Sequence, residues 1–174
     1  MTDRTYPDDT VGSFPPPPAV FTDGDGREIR IRESGRDDLD ALVAMYEDFD
    51  PADRAQGIPP IDPDAIREWL DTIVSPDAVT VVTEHDGRPV GHAILVPDSG
   101  EGYELAIFIL DEYQGAGIGT RLLEHLLGQG QAAGVDKVWL TVERWNEAAI
   151  ALYRKIGFET SGSESFELEM SIRI

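Results

Sequence analysis

The sequence predicts an α+β fold in three layers, with a mixed, mostly antiparallel central sheet and helices on both faces. Two β-rich segments, residues 78–84 and 89–96, flank His85-Asp-Gly-Arg88, and Asp-Gly between apolar runs is a strong hairpin signal. A nearly unbroken apolar segment, residues 103–110, precedes Gln114-Gly-Ala-Gly-Ile-Gly-Thr120, after which Ile118, Leu122, Leu123, Leu126 and Leu127 recur at helical spacing. A further apolar segment, residues 137–142, follows that helix, and a strand–helix–strand crossover makes it parallel to the strand before the loop. Antiparallel strands ahead of the glycine loop set this order apart from doubly wound folds, where strands and helices alternate from the start.

Taken in order, residues 1–27 read as an arm or linker and residues 28–174 as the domain. The arm is rich in Asp and Pro, with an extended polyproline run from Pro15 to Pro18 and Phe14, Val20 and Phe21 as anchors. Thr22-Asp-Gly-Asp-Gly-Arg27 is turn chemistry. Residues 28–32 alternate, with Ile29 and Ile31 facing inward. Residues 37–49 form an amphipathic helix ended by Pro51, and a loop covers residues 50–60. Asp62-Pro-Asp64 opens a second helix with Pro63 in its first turn and Ile66, Trp69, Leu70 and Ile73 on its buried stripe. In the β-hairpin, His85 reads as exposed and His92 as a packed strand histidine. The residue 103–110 strand reads as buried on both faces. The helix after the glycine loop runs to about Ala133, with Gly134 as its stop, and Asn146 caps a last helix that ends at Gly157. Residues 158–160 and 166–174 close the sheet as a hairpin around Ser161-Gly-Ser163.

Composition narrows the chemistry. The chain has 174 residues, enough for one domain with a real core, and no cysteine, hence no disulfide, thiolate metal site or cysteine nucleophile. The three histidines lie far apart and lack H-E-x-x-H spacing, so no metal is expected. A net charge of −20 argues against nucleic acid as a partner. Only Lys137 and Lys155 among 14 basic residues are lysine, and the acids are spread along the chain, a pattern that fits adaptation to high salt. No apolar run approaches the length that spans a bilayer, and no basic, apolar leader opens the sequence, so no membrane association and a cytoplasmic location are expected.

The strand, glycine loop and helix leave backbone N–H groups at the positive end of a helix, where phosphates bind. The same glycines also fit a plain tight turn. The loop lacks both the G-x-G-x-x-G spacing of a dinucleotide fold and the G-K-S/T of a Walker loop. Gln114-Gly-Ala-Gly-Ile-Gly119 resembles the Q/R-x-x-G-x-G/A motif of the GNAT superfamily of acyl-CoA-dependent N-acyltransferases. Asn146-Glu-Ala-Ala-Ile-Ala-Leu-Tyr-Arg-Lys-Ile-Gly-Phe158 resembles a second signature of that family, N-x-x-A-x-x-L-Y-x-x-x-G-F. Together these motifs cover about the last 75 residues.

The resemblance implies an N-acetyltransferase that moves an acetyl group from acetyl-CoA to a primary amine by direct attack. It implies that Gln114, Gly115, Ala116, Gly117, Ile118, Gly119 and Thr120 cradle the coenzyme A pyrophosphate, and that Ile107, Phe108 and Ile109 pair with the pantetheine arm. Asn146 also contacts the cofactor. Arg121 is either a further phosphate contact or an exposed helix arginine. Glu104 is the implied general base, with Glu143 as second choice, and burial would raise its pKa. Tyr153 is implied to assist departure of the thiolate. Helix residues Tyr46, Glu47 and Trp69 and loop residues Asp50 and Asp53 are weaker candidates for acceptor contact, against a plain core stripe and solvated acidic face. The acceptor can be a small amine or a protein. A homodimer formed by pairing residues 166–170 across a twofold is compatible with the sequence, and a non-catalytic CoA-binding regulatory module is the competing function.

Overall fold

The computed structural model describes residues 4–54 and 58–174; part of the expected 50–60 loop, residues 55–57, and the first three residues of the arm lie outside the described set. Among these residues eight strands form one sheet: β1 (Ala19–Thr22), β2 (Glu28–Glu33), β3 (Val79–His85), β4 (Arg88–Pro97), β5 (Tyr103–Ile109), β6 (Lys137–Glu143), β7 (Glu159–Ser163) and β8 (Glu167–Arg173). Their order is β1-β2-β3-β4-β5-β6-β8-β7. Among the described residues only the β5–β6 pair is parallel, as the crossover requires. Helices α1 (Leu39–Glu47) and α2 (Pro63–Ile73) cover one face, and α3 (Ile118–Ala132) and α4 (Glu147–Ile156) the other.

Local chemistry accounts for each boundary. Asp86 and Gly87, at φ 53° and 77°, make the tight β3–β4 turn. The Asp62 side chain accepts from the Ala65 N–H at 3.1 Å and starts α2, with Pro63 in its first turn. Asn146 does the same for α4, accepting from the Ala149 N–H at 3.2 Å. A 3-10 turn at Arg36–Asp38 precedes α1, so the amphipathic segment is helical from one residue earlier than expected but in two forms.

Four readings need correction. Residues 19–22 of the expected arm are a strand, paired antiparallel with β2 from Ala19↔Ile31 to Thr22↔Glu28. His85 is half-buried, and its Nδ1 lies 2.6 Å from the Tyr113 hydroxyl. Strand β7 runs on through Ser163, beyond the expected turn, because a bulge between Thr160 and Gly162 absorbs the irregularity. Strand β8 lies between β6 and β7, so its backbone has partners on both sides, and residues 166–170 offer no edge for a twofold strand pairing.

His92 is fully buried on β4, as expected of a packed strand histidine, with its Nδ1 2.7 Å from the Tyr46 hydroxyl. Burial pushes its pKa down to about 4. Since the unfolded state takes up this proton near 6.5, the contribution of a neutral His92 is intact above that value. It is lost as pH falls toward 4 and levels off below. Over the whole window this amounts to about 3 kcal/mol. Urea unfolding should show the wild type losing about 2 kcal/mol more than His92→Gln between pH 7 and pH 5. Equal losses in the two proteins would remove this assignment.

Candidate active site

The parallel pair β5–β6 is joined only at its start, through Tyr103↔Val138 and Glu104↔Trp139, although both strands continue for several residues. Beyond that point they splay into a wedge that opens toward their C-terminal ends. On its other side β5 pairs with β4 along its full length. The backbone of β5 after Glu104 thus has one edge without a strand partner, in the middle of the sheet. This corrects the expectation that residues 103–110 are buried on both faces. Ala106, Ile107, Phe108 and Ile109 are only half-buried because they border the wedge.

The glycine loop stands at the wide end of this wedge. Gln114 folds back, its Nε2 donating to the Ile109 carbonyl at 3.0 Å and to Asp53 Oδ2 at 3.1 Å. Gly115 and Gly117 have φ of 72° and 85°, a backbone form that L side chains rarely adopt, and a Cβ at either would meet open space. Gly117 is the N-cap of α3 and supplies no side-chain cap. The N–H groups of the first turn, from Ile118 through Thr120, lack intrahelical partners. No acidic residue stands in that turn, whereas α1, α2 and α4 each begin with one. In a chain of charge −20, the positive end of α3 is left without an acid of its own. Ala116 and Ile118 point inward and are buried, and Gly119 packs close to Ile109 and Leu152. Arg121 sits above the Phe21 ring at 5.1 Å.

A support that the sequence did not reveal lies under this loop. The Gly24 N–H donates to the Ala116 carbonyl at 2.9 Å. Asp23, buried, accepts from the Arg27 N–H at 2.9 Å and from Arg27 Nε at 2.7 Å. Burial pushes the Asp23 carboxyl up, but the hydrogen bonds from Arg27 and Asp25 outweigh it and hold the pKa below the ordinary value. Arg27 also donates to the Glu112 carbonyl at 3.0 Å and lies 4.1 Å over the Tyr113 ring. The motif Thr22-Asp-Gly-Asp-Gly-Arg27 showed a turn; what the turn packs against is a tertiary fact.

Side chains reach the wedge from both faces. Along β5, Leu105 and Ile107 belong to the core under α3 and α4, and Ala106 and Phe108 to the core under α1 and α2. By alternation Glu104 faces the α1–α2 side. Desolvation raises its pKa; Arg4 opposes this and Asp98 adds to it. Among the described residues the Glu104 carboxylate has no hydrogen-bond partner, whereas Glu143 accepts from the Trp145 indole N–H. Tyr153 lies on the opposite face, in the core with Leu105 and Val142 and edge-on to Phe158 at 5.7 Å. Burial pushes its phenol up to about 12, and its hydroxyl has no hydrogen-bond partner among the described residues.

The weaker acceptor candidates divide. Tyr46, Trp69 and Phe108 form mutually edge-on contacts at 5.2 to 5.6 Å beside the wedge. Glu47 lines a small cavity with Phe49 and Arg54. Asp50 caps the short turn that follows it, accepting from the Ala52 N–H at 2.9 Å, and Asp53 holds Gln114. No helix among the described residues is long and apolar enough to cross a membrane.

Comparison with known proteins agrees with this geometry. Residues 42–158 match the acetyltransferase (GNAT) family. The L-methionine sulfoximine/L-methionine sulfone acetyltransferase of Pseudomonas aeruginosa is 30% identical over 139 residues, which is 76% of this chain and 81% of that protein. The GNAT domain of PAT from S. lividans superposes with a TM-score of 0.78 at 19% identity, covering 90% of this chain and 97% of that one. The yncA protein of Salmonella typhimurium, solved with its cofactor acetyl-CoA, has a TM-score of 0.66 at 20% identity, covering 83% and 93%. A splayed central pair, a glycine loop at its mouth and the matched sequence together place this chain in the GNAT family of acetyltransferases.

Proposed function

We propose that the protein transfers an acetyl group from acetyl-CoA to a primary amine by direct attack. The observation that carries this reading is the wedge: a free backbone edge on β5 that runs into an unneutralised helix N-terminus at its wide end. The edge at Ile107, Phe108 and Ile109 suits an extended amide-bearing arm, which can pair there as a further strand. The loop from Gln114 to Thr120 suits the pyrophosphate at the end of such an arm. Asn146, at the start of α4 beyond the end of β6, adds a polar contact. A backbone N–H of the free β5 edge can stabilise the oxyanion.

The chemistry divides between the two faces. An alkylammonium with pKa near 10.4 is neutral in only about one molecule in 2,500 at pH 7. Glu104, exposed at the start of β5 with its pKa raised by partial desolvation, takes the proton from the α1–α2 side. The amine nitrogen bonds to the thioester carbonyl, the C–S bond breaks as the tetrahedral species collapses, the electron pair leaves with sulfur, and the second N–H proton passes to solvent as the amide forms. Tyr153 meets that sulfur from the α3–α4 side. With the phenol at about 12 and a thiol near 8.5, complete proton transfer is uphill by about 5 kcal/mol. Tyr153 therefore stabilises the departing thiolate by donating a hydrogen bond. The chain has no cysteine, so no acyl-cysteine intermediate is available.

Calorimetric titration in molar KCl tests the reading. Micromolar binding of acetyl-CoA and CoA, with ATP weaker, is the expected result. Gly117→Val, which forces a β-branched residue to positive φ, should weaken acetyl-CoA about tenfold. A folded protein that binds neither acetyl-CoA nor CoA rules out the assignment.

A further inference from the structure

The segment after residue 3 crosses the sheet face on which Glu104 lies. It is tied to the last strand: the Ser171 hydroxyl donates to the Thr5 carbonyl at 2.9 Å, Arg173 Nε donates to the Pro7 carbonyl at 2.9 Å, and the Val11 N–H donates to the Arg173 carbonyl at 3.1 Å. This strap delivers Arg4 to the narrow end of the wedge. Its guanidinium carbon stands 3.3 Å above the Trp139 ring, and its Nε lies 3.2 Å from Glu169 Oε1. Trp139 is the register partner of Glu104, and Glu169 pairs with Thr141 one strand further over. By strand spacing the backbones of Trp139 and the candidate base are about 5 Å apart. The indole is itself fixed, its Nε1 donating to Asp98 Oδ2 at 3.0 Å.

An aromatic face with a carboxylate at its rim is a recognition element for a planar or quaternary cation. Here it adjoins the carboxylate assigned to the acceptor amine, and its occupant is supplied by a strap and not by the sheet. We propose that Trp139 and Glu169 form a cation seat of the acceptor site, filled in this state by Arg4, and that acceptors carrying a second positive charge displace Arg4 to bind there. The inference rests on the acceptor lying on the Glu104 face, as the acetyltransferase reading has it. It narrows the substrate class to amines with a guanidinium or second ammonium on a short chain. It also makes the strap a tethered competitor: an acceptor with one charge has nothing to gain from its release.

Agmatine, an amine and a guanidinium at opposite ends of a short chain, and butylamine, which lacks the second cation, are the probes. Their Kd values are measured by calorimetry on the full chain with CoA present, so turnover is not needed. Arg4→Met should lower the Kd of agmatine about tenfold and leave butylamine within about twofold; Arg4→Gln should do the same. Adding Glu169→Gln to Arg4→Met should cancel the gain. An unchanged agmatine Kd in both Arg4 variants, or an equal shift for both amines, overturns the seat. Failure to transfer acetyl to any amine, with the agmatine gain intact, strikes the reaction and leaves the seat standing.

Discussion

Tyr153→Phe is expected to lower the turnover of acetyl transfer about 100-fold while the Kd for acetyl-CoA changes less than about twofold. The hydroxyl has no hydrogen-bond partner among the described residues, so its removal breaks no contact that holds α4 in place. The ring remains to pack against Phe158. Whatever the hydroxyl contributes is made as sulfur gains charge, and the loss falls on kcat. Single-turnover kinetics alongside calorimetry separates the two quantities. A parallel loss of affinity would mean that Tyr153 serves binding of the thioester and not its departure.

Glu104→Gln should reduce kcat/KM about 100-fold near neutral pH and change the shape of the pH profile. In the wild type, desolvation holds the Glu104 pKa above the ordinary carboxylate value of 4.5. Below that raised pKa the carboxyl is protonated and cannot accept the amine proton, so activity falls with acid. The variant has no such group, and the acid limb assigned to Glu104 should disappear. A profile that keeps the same limb at lower overall rate would move the base elsewhere, with Glu143 next in line, although it already accepts from Trp145. Arg4 supplies an internal check. It pulls the Glu104 pKa down, so Arg4→Met should shift the wild-type acid limb to higher pH.

Much of the architecture was legible because it is set locally. Hydrophobic period separated strands from helices, Asp86-Gly87 fixed a hairpin, and Asp62 and Asn146 marked helix starts by a hydrogen bond within three residues. The pairing of Gln114 with the glycine loop was readable as a motif. Three features were not readable, each for a physical reason. The splay of β5 from β6 is the absence of strand pairing between two segments that each look like ordinary strands. Strand β1 is four residues, Ala19–Thr22, in a proline- and aspartate-rich stretch, and owes its form to the β2 edge beside it. Arg4 and Trp139 drew no attention because their partners, Glu169 and Asp98, are remote in sequence.

The strap that carries Arg4 bears on how the chain reaches its final form. Thr5 and Pro7 bond to residues 166 positions later in the sequence. At ribosomal speeds of roughly 5–20 residues per second, their partners emerge on the order of ten seconds or more after them. Thr5 and Pro7 can thus dock only after β8, which holds them from its place between β6 and β7, has been made. A tag fused upstream of this strap would bear on the docking of Arg4 over Trp139. Purified material with such a tag should be compared with cleaved material before any acceptor preference is assigned.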